Sequence, residues 1–193
     1  MKPIEQPRNS YKTEDIYATD RDFCEIFKAE MTGLYSLSLL LTGSRVSAEQ
    51  CFVAGLKDSV ATHGVFKQQA QSWSRRSIIK NAIQMVRPLA NAMGEAPKAD
   101  PDVLKRAPEL HFSVAAIMGL EPFDRFVFVM SVLEGYSAQD CATLLSSTRL
   151  DVSTACTRAL YQLTNNQVSA VPAGALEPGV LDAQNSLKLT GAA

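Results

Sequence analysis

From Asp20 onward, apolar residues recur at the spacing of a helix face. Phe23, Phe27, Leu34, Leu37 and Leu41 fall on one broad stripe, as expected where one side of a helix is to be buried. The stretch "LTGSR" stops that helix, and Gly43 suits the left-handed position after a last turn. Ser47 then opens a second helix, with Gln50 three residues on completing a capping-box pattern. After the less regular "ATHGVFKQQAQ", a third helix is expected from near Gln71 to Val86, ended by Pro88. A second helical series starts near Phe112. "PFDRFVFVMSVLEG" is apolar on nearly every side, the mark of a helix enclosed by its neighbours, and Gly135 ends it. Ser137 with Asp140 gives another N-terminal cap, so "SAQDCATLL" reads as a short helix, "SSTR" as a turn and "LDVSTACTRALYQL" as a final helix. No strand-like alternation of useful length occurs, nor an internal repeat. The expected fold is all-α.

Between the two series lies "RPLANAMGEAPKADPDVLKRAP", with Pro88, Pro97, Pro101 and Pro108, a composition that suits a connection between two helical units. The organisation expected is a flexible arm over 1–19, a helical domain over 20–90, a Pro-rich linker over 91–111, a helix-turn-helix domain over 112–164 and a disordered tail over 165–193. With 193 residues, 46% of them hydrophobic, the chain has enough apolar material for packed cores. Its net charge of −1 announces no nucleic-acid partner globally, so any such binding must come from a local patch. The longest apolar run, "LYSLSLLLTG" (Leu34–Gly43), is too short to span a bilayer, and the N-terminal stretch has no apolar signal core. A cytoplasmic protein without a membrane partner is expected. Cys24, Cys51, Cys141 and Cys156 form no CxxC pair and read as buried thiols, and the two histidines, His63 and His111, are isolated. Nothing calls for a metal or a cofactor.

The order of elements over roughly residues 22–163 resembles a small, two-domain sigma factor of the extracytoplasmic-function type. In the first unit the resemblance rests on "LYSLSLLLTGSRVSAEQ" and on "SWSRRSIIKNAI", with Trp73 and Asn81 as landmarks. In the second it rests on "LEPFDRFVFVMSVLEGYSAQDCATLL", where Leu120, Pro122, Arg125, Phe128, Leu133, Glu134, Gly135, Ser137, Ala142 and Leu145 fall in step, followed by "TRALYQL". The resemblance implies a non-catalytic initiation factor that attaches to the clamp region of the largest RNA polymerase subunit and binds promoter DNA with both domains. It also implies an anti-sigma factor as a candidate partner.

Each implied task can be laid on particular residues. For attachment to polymerase, Ala48, Glu49, Gln50 and Val53 occupy the contact helix; Gln50, Val53 and Ala54 stand where the family carries an acid, an amide and an acid. For promoter opening, no acidic residue occurs between Asp58 and Glu95, while Lys67, Arg75, Arg76, Lys80 and Arg87 all do. Trp73, Arg75, Arg76, Lys80, Asn81 and Arg87 are the candidates there, a basic stripe with an indole able to stack on a base. For promoter reading, Arg149, Asp151, Ser153, Thr154, Thr157 and Arg158 are the candidates. Ser153 and Ala155 replace a lysine and an arginine of the family, and Asp151 brings a negative charge more suited to a helix cap than to phosphate. These losses leave an alternative open: a degenerate sigma-like adaptor that keeps the fold for protein interaction. An enzyme is not expected, because Glu121 and Asp124 read as first-turn acids complementing a helix dipole rather than as an acid–base pair.

Overall fold

The computed structural model describes residues 16–90 and 112–169, and the expected linker and most of the two tails lie outside them. A first helical group holds α1 (Asp20–Ala29), α2 (Met31–Thr42), α3 (Arg45–Val60) and α4 (Ala70–Val86). A second holds α5 (Val114–Met118), α6 (Pro122–Phe128), α7 (Ala138–Leu144) and α8 (Arg149–Ser169). The described residues are all-helical; the single β-type contact is an isolated antiparallel bridge between Tyr17 and Phe66.

The start of the first group differs from the expectation in three places. Residues 16–19, assigned to a flexible arm, run beside the α3–α4 connection, where Ala18 N–H donates to Val65 O at 2.7 Å and Lys67 N–H to Ile16 O at 3.0 Å. The one helix expected from Asp20 to Gly43 is two, because Glu30 leaves the helical well (φ −103°, ψ 21°). The bend separates two burial tasks. Phe23 seats with Val65 and Ala70 in a small cluster, whereas Phe27, Leu34, Leu37 and Leu41 enter the main core. Gly43 does take the left-handed conformation that ends α2 (φ 75°). Ser44, not Ser47, then caps α3: it is already extended, and its hydroxyl accepts from Ser47 N–H at 3.2 Å. Ser47 is thereby the third residue of the helix, and Gln50 has no capping role.

Sequence and structure agree more closely beyond that point. α4 begins at Ala70 and gives way to left-handed Arg87 (φ 51°) just before Pro88, a residue that disfavours helical geometry in its predecessor. Ser137 caps α7, accepting from Asp140 N–H at 3.1 Å. α6 is enclosed as its composition implied, with every residue from Phe123 to Phe128 buried, followed by a π-helical turn over Val129–Leu133. α8 runs on to Ser169, past the expected domain end at residue 164.

α2 is central, packing on α3 and α4 on one side and on α5, α6 and the π-turn on the other. The two groups consequently share one apolar core, in which Leu34, Leu41 and Ile79 belong to the same buried cluster as Phe126, Met130 and Leu163. Arg125 ties the seam. Its guanidinium donates to Met118 O and Leu120 O at 3.1 and 3.3 Å and, across the seam, to Leu41 O at 3.3 Å.

Within the first group, α3 approaches α4 closely because Gly55 has no side chain. A Cβ built there would stand 2.5 Å from Cδ1 of Ile78, itself fully buried. Gly55→Ala gains up to about 1 kcal/mol in helix propensity but overpacks this contact at a cost of about 1–3 kcal/mol. The expected outcome is a lower urea midpoint, partly restored when Ile78→Val removes the clashing methyl group.

Candidate nucleic-acid interface

α4 presents the basic residues because its other side is committed to the core. Ala70, Ser74, Ser77, Ile78, Ile79 and Ala82 are buried, and the buried Ser74 hydroxyl is satisfied by donating to Ala70 O at 2.9 Å. At about 100° per residue, Trp73, Arg76 and Lys80 project within about 60° of one another; Arg87, expected on the same arc, lies one residue past the end of α4 in the left-handed conformation, so helix spacing does not fix its direction. All four are exposed, Trp73 at 37%. Among the described residues, Arg76, Lys80 and Arg87 make no ion pair. The result is an uncompensated positive strip beside an accessible indole, chemistry that suits a phosphate backbone and an unstacked base.

Two of the residues expected with this strip turn elsewhere. Arg75 Nε and Nη2 donate to the two carboxylate oxygens of Glu134 at 2.6 and 2.5 Å. Glu30 lies 3.7 Å from the same guanidinium and also accepts a hydrogen bond from Gln71. The Glu134 bond is the main reason the Arg75 guanidinium is pushed above its ordinary pKa. Asn81 donates to Asp58 Oδ2 at 2.8 Å and to Ser77 O at 2.9 Å. The stretch is acid-free along the chain, yet folding brings three acids to α4 from the α1–α2 bend, α3 and the end of the π-turn. Glu134 went unnoticed as a site residue because its partner lies 59 positions away, and no spacing rule spans that distance.

In the second group, α7 and α8 are joined by the turn Leu145–Thr148. Thr148 and Asp151 cap α8 reciprocally: Asp151 N–H donates to Thr148 Oγ1 at 3.1 Å, while the Asp151 carboxylate accepts from Thr148 Oγ1 and N–H at 2.7 and 3.0 Å. Those bonds, the hydroxyl first, hold its carboxyl below the usual pKa. Arg158 turns inward. Its Nε and Nη2 meet the Asp124 carboxylate at 2.9 and 2.6 Å, and Asp124 is 2% exposed. Asp124 therefore serves as an internal counter-ion to Arg158. Ala155 is fully buried, so its side chain does not reach the surface of α8. Arg149 and Ser153 are exposed, and Thr154 and Thr157 are half-buried. Beyond exposed Arg149 at its start, the outward strip of α8 consists of Leu150, Ser153, Thr154, Thr157 and Tyr161, without a formal charge; Leu150 is 75% exposed.

On α3, Ala48 is buried and is removed from the candidate contact surface. Glu49, Gln50 and Val53 are exposed and, with Ala54 and Lys57, line a shallow depression of about 390 Å³. The thiols divide as well. Burial pushes Cys51 and Cys141 up to about 11 and also raises half-buried Cys156. Cys24, expected to be buried, is exposed: it follows Phe23, and the next residue of a helix points about 100° away. Among the described residues, no group of three or more His, Cys, Asp or Glu side chains is placed to hold a metal ion.

No protein-family model matches the chain, and no curated protein matches its sequence.

The Asp124–Arg158 pair separates a structural arginine from a DNA-reading one. Removing one member of a buried pair costs about 3–5 kcal/mol, because the other charge is left without a partner. Arg158→Met is expected to lower unfolding stability by about 3 kcal/mol, measured in urea, whereas Ser153→Ala on the outward strip leaves it within about 0.5 kcal/mol.

Proposed function

We propose that this protein is a divergent, sigma-factor-like transcription initiation factor that acts without catalysing a reaction. The observation carrying the proposal is the exposed strip of Trp73, Arg76 and Lys80 on α4 with Arg87 just past its end, its cations making no ion pair among the described residues. Such a strip tracks the backbone of a separated strand while the indole receives a base. Two helical groups in the order implied by the sequence resemblance support the same reading. In it, the outer surface of α3, with Glu49, Gln50 and Val53, is the docking surface for the RNA polymerase core. The helix-turn-helix formed by α7 and α8 contributes little affinity for duplex DNA, because beyond Arg149 at the start of α8 its outward strip offers hydroxyls and apolar groups rather than cations.

That charge-free strip also favours a second reading, a sigma-like adaptor whose second group binds a protein. Leu150 and Tyr161, exposed on one side of α8, are side chains that gain more from an apolar partner than from a phosphate backbone.

Two measurements test the proposal. A tagged chain is expected to capture purified RNA polymerase core in competition with a housekeeping sigma factor; failure to capture it at low salt favours the adaptor. For DNA, titration of a labelled single strand is expected to quench Trp73 fluorescence. Arg76→Ala with Lys80→Ala should weaken that binding about tenfold at ~0.1 M salt and reduce the salt slope by about 1.4, two cations at about 0.7 each. Unchanged binding in the double variant overturns the role of α4.

A further inference from the structure

The seam between the two helical groups runs alongside the basic strip. Arg75, adjacent in sequence to Arg76, is held by both oxygens of Glu134, whose side chain is only 8% exposed while that of Arg75 is 32% exposed. A planar guanidinium recognises carboxylate and phosphate with the same two-pronged geometry. Glu134 ends the π-helical turn Val129–Leu133, and left-handed Gly135 (φ 71°) follows it. Tyr136, next along the turn, is half-buried and within electrostatic reach of Arg76. The Glu134–Tyr136 turn thus sits at one edge of the strip and occupies the cation nearest to it.

We infer that Glu134 is an internal competitor for nucleic-acid phosphate: it holds Arg75 out of the binding strip while the two helical groups are closed. A bound strand takes over Arg75 and releases the Glu134 contact. This inference rests on the proposed nucleic-acid reading of α4. It makes the packing of the second group on the first a restraint on binding, set by a single carboxylate. Neutralising that carboxylate frees a fourth cation for the strip while leaving Glu30 beside Arg75 as a partial partner.

The test uses the full chain and a fluorescein-labelled oligothymidylate of about 15 nucleotides. Wild type, Glu134→Gln, Arg75→Gln and the double variant are titrated over a range of salt, after circular dichroism has shown each to be folded at the working temperature. Glu134→Gln is expected to bind several-fold more tightly, with a salt slope steeper by about 0.7, one additional phosphate contact. Arg75→Gln opens the same contact but supplies no cation, so it gains no affinity; in the double variant the gain of Glu134→Gln is lost. If Glu134→Gln binds no more tightly than wild type while Arg76→Ala with Lys80→Ala still weakens binding, the competition is overturned and the reading of α4 stands. A gain in both single variants also overturns it, because opening alone then raises affinity. If wild type does not bind the strand, both the inference and the reading on which it rests fail.

Discussion

A buried guanidinium holds the two halves of this protein in one arrangement. Arg125 is 7% exposed and, among the described residues, has no carboxylate within bonding distance; its charge is dispersed over three carbonyl oxygens, two at the α5–α6 corner and one at the end of α2. Burial lowers its pKa, as it does for any cation removed from water. The arrangement also restricts its neighbour. A side chain on Gly43 would meet the guanidinium at 3.1 Å, and the backbone there is left-handed, so glycine is needed for both reasons. Around this polar tie the apolar core continues without interruption from α2 into α5 and α6. The fold is therefore better described as two helical groups closed on each other than as two independent beads.

That closure distributes charge in a way that bears on function. Several polar residues that a linear reading offers to DNA are used internally: Arg75 by Glu134 and Glu30, Arg158 by Asp124, Asn81 by Asp58, and Asp151 by Thr148. The cations left over on and just after α4 lie on one side, whereas on α8 the exposed cation is Arg149 at its first residue and the strip from Leu150 to Tyr161 carries none. An ordinary helix-turn-helix protein concentrates its cations on the second helix, where major-groove contacts are made. Here the exposed, unpaired charge favours the first helical group.

Much of the fold was legible because helix periodicity is a local signal. The enclosed character of α6, the left-handed Gly43, the end of α4 before Pro88 and the Ser137 cap can each be read from a few neighbouring residues. The bend at Glu30 could not be read in that way. Phe23 and Phe27 fit the same stripe as Leu34 and Leu41, and only the three-dimensional position of Val65 and Ala70 gives Phe23 a separate destination. The start of α3 was misplaced because Ser44 and Ser47 both offer a capping hydroxyl, and the choice depends on where Gly43 turns the chain. The candidate site was legible to the extent that it lies on one helix: Trp73, Arg76 and Lys80 share a side by spacing alone, whereas Arg87 falls past the helix end. What spacing could not supply was the distant acid, since Glu134 and Glu30 reach α4 through the packing of other elements.

The free protein holds its two helical groups closed on each other. Native Cys24 on α1 and Leu150→Cys on α8 offer exposed positions for spin labels, one in each group, with half-buried Cys156 replaced by alanine to prevent a third label. Electron–electron distance measurement on the dilute protein should give a single narrow distribution, and it should broaden when Arg125→Met removes the tie to Leu41. A broad distribution in the protein that retains Arg125 would contradict the account, because the groups would then move independently and the seam beside α4 could not restrain anything.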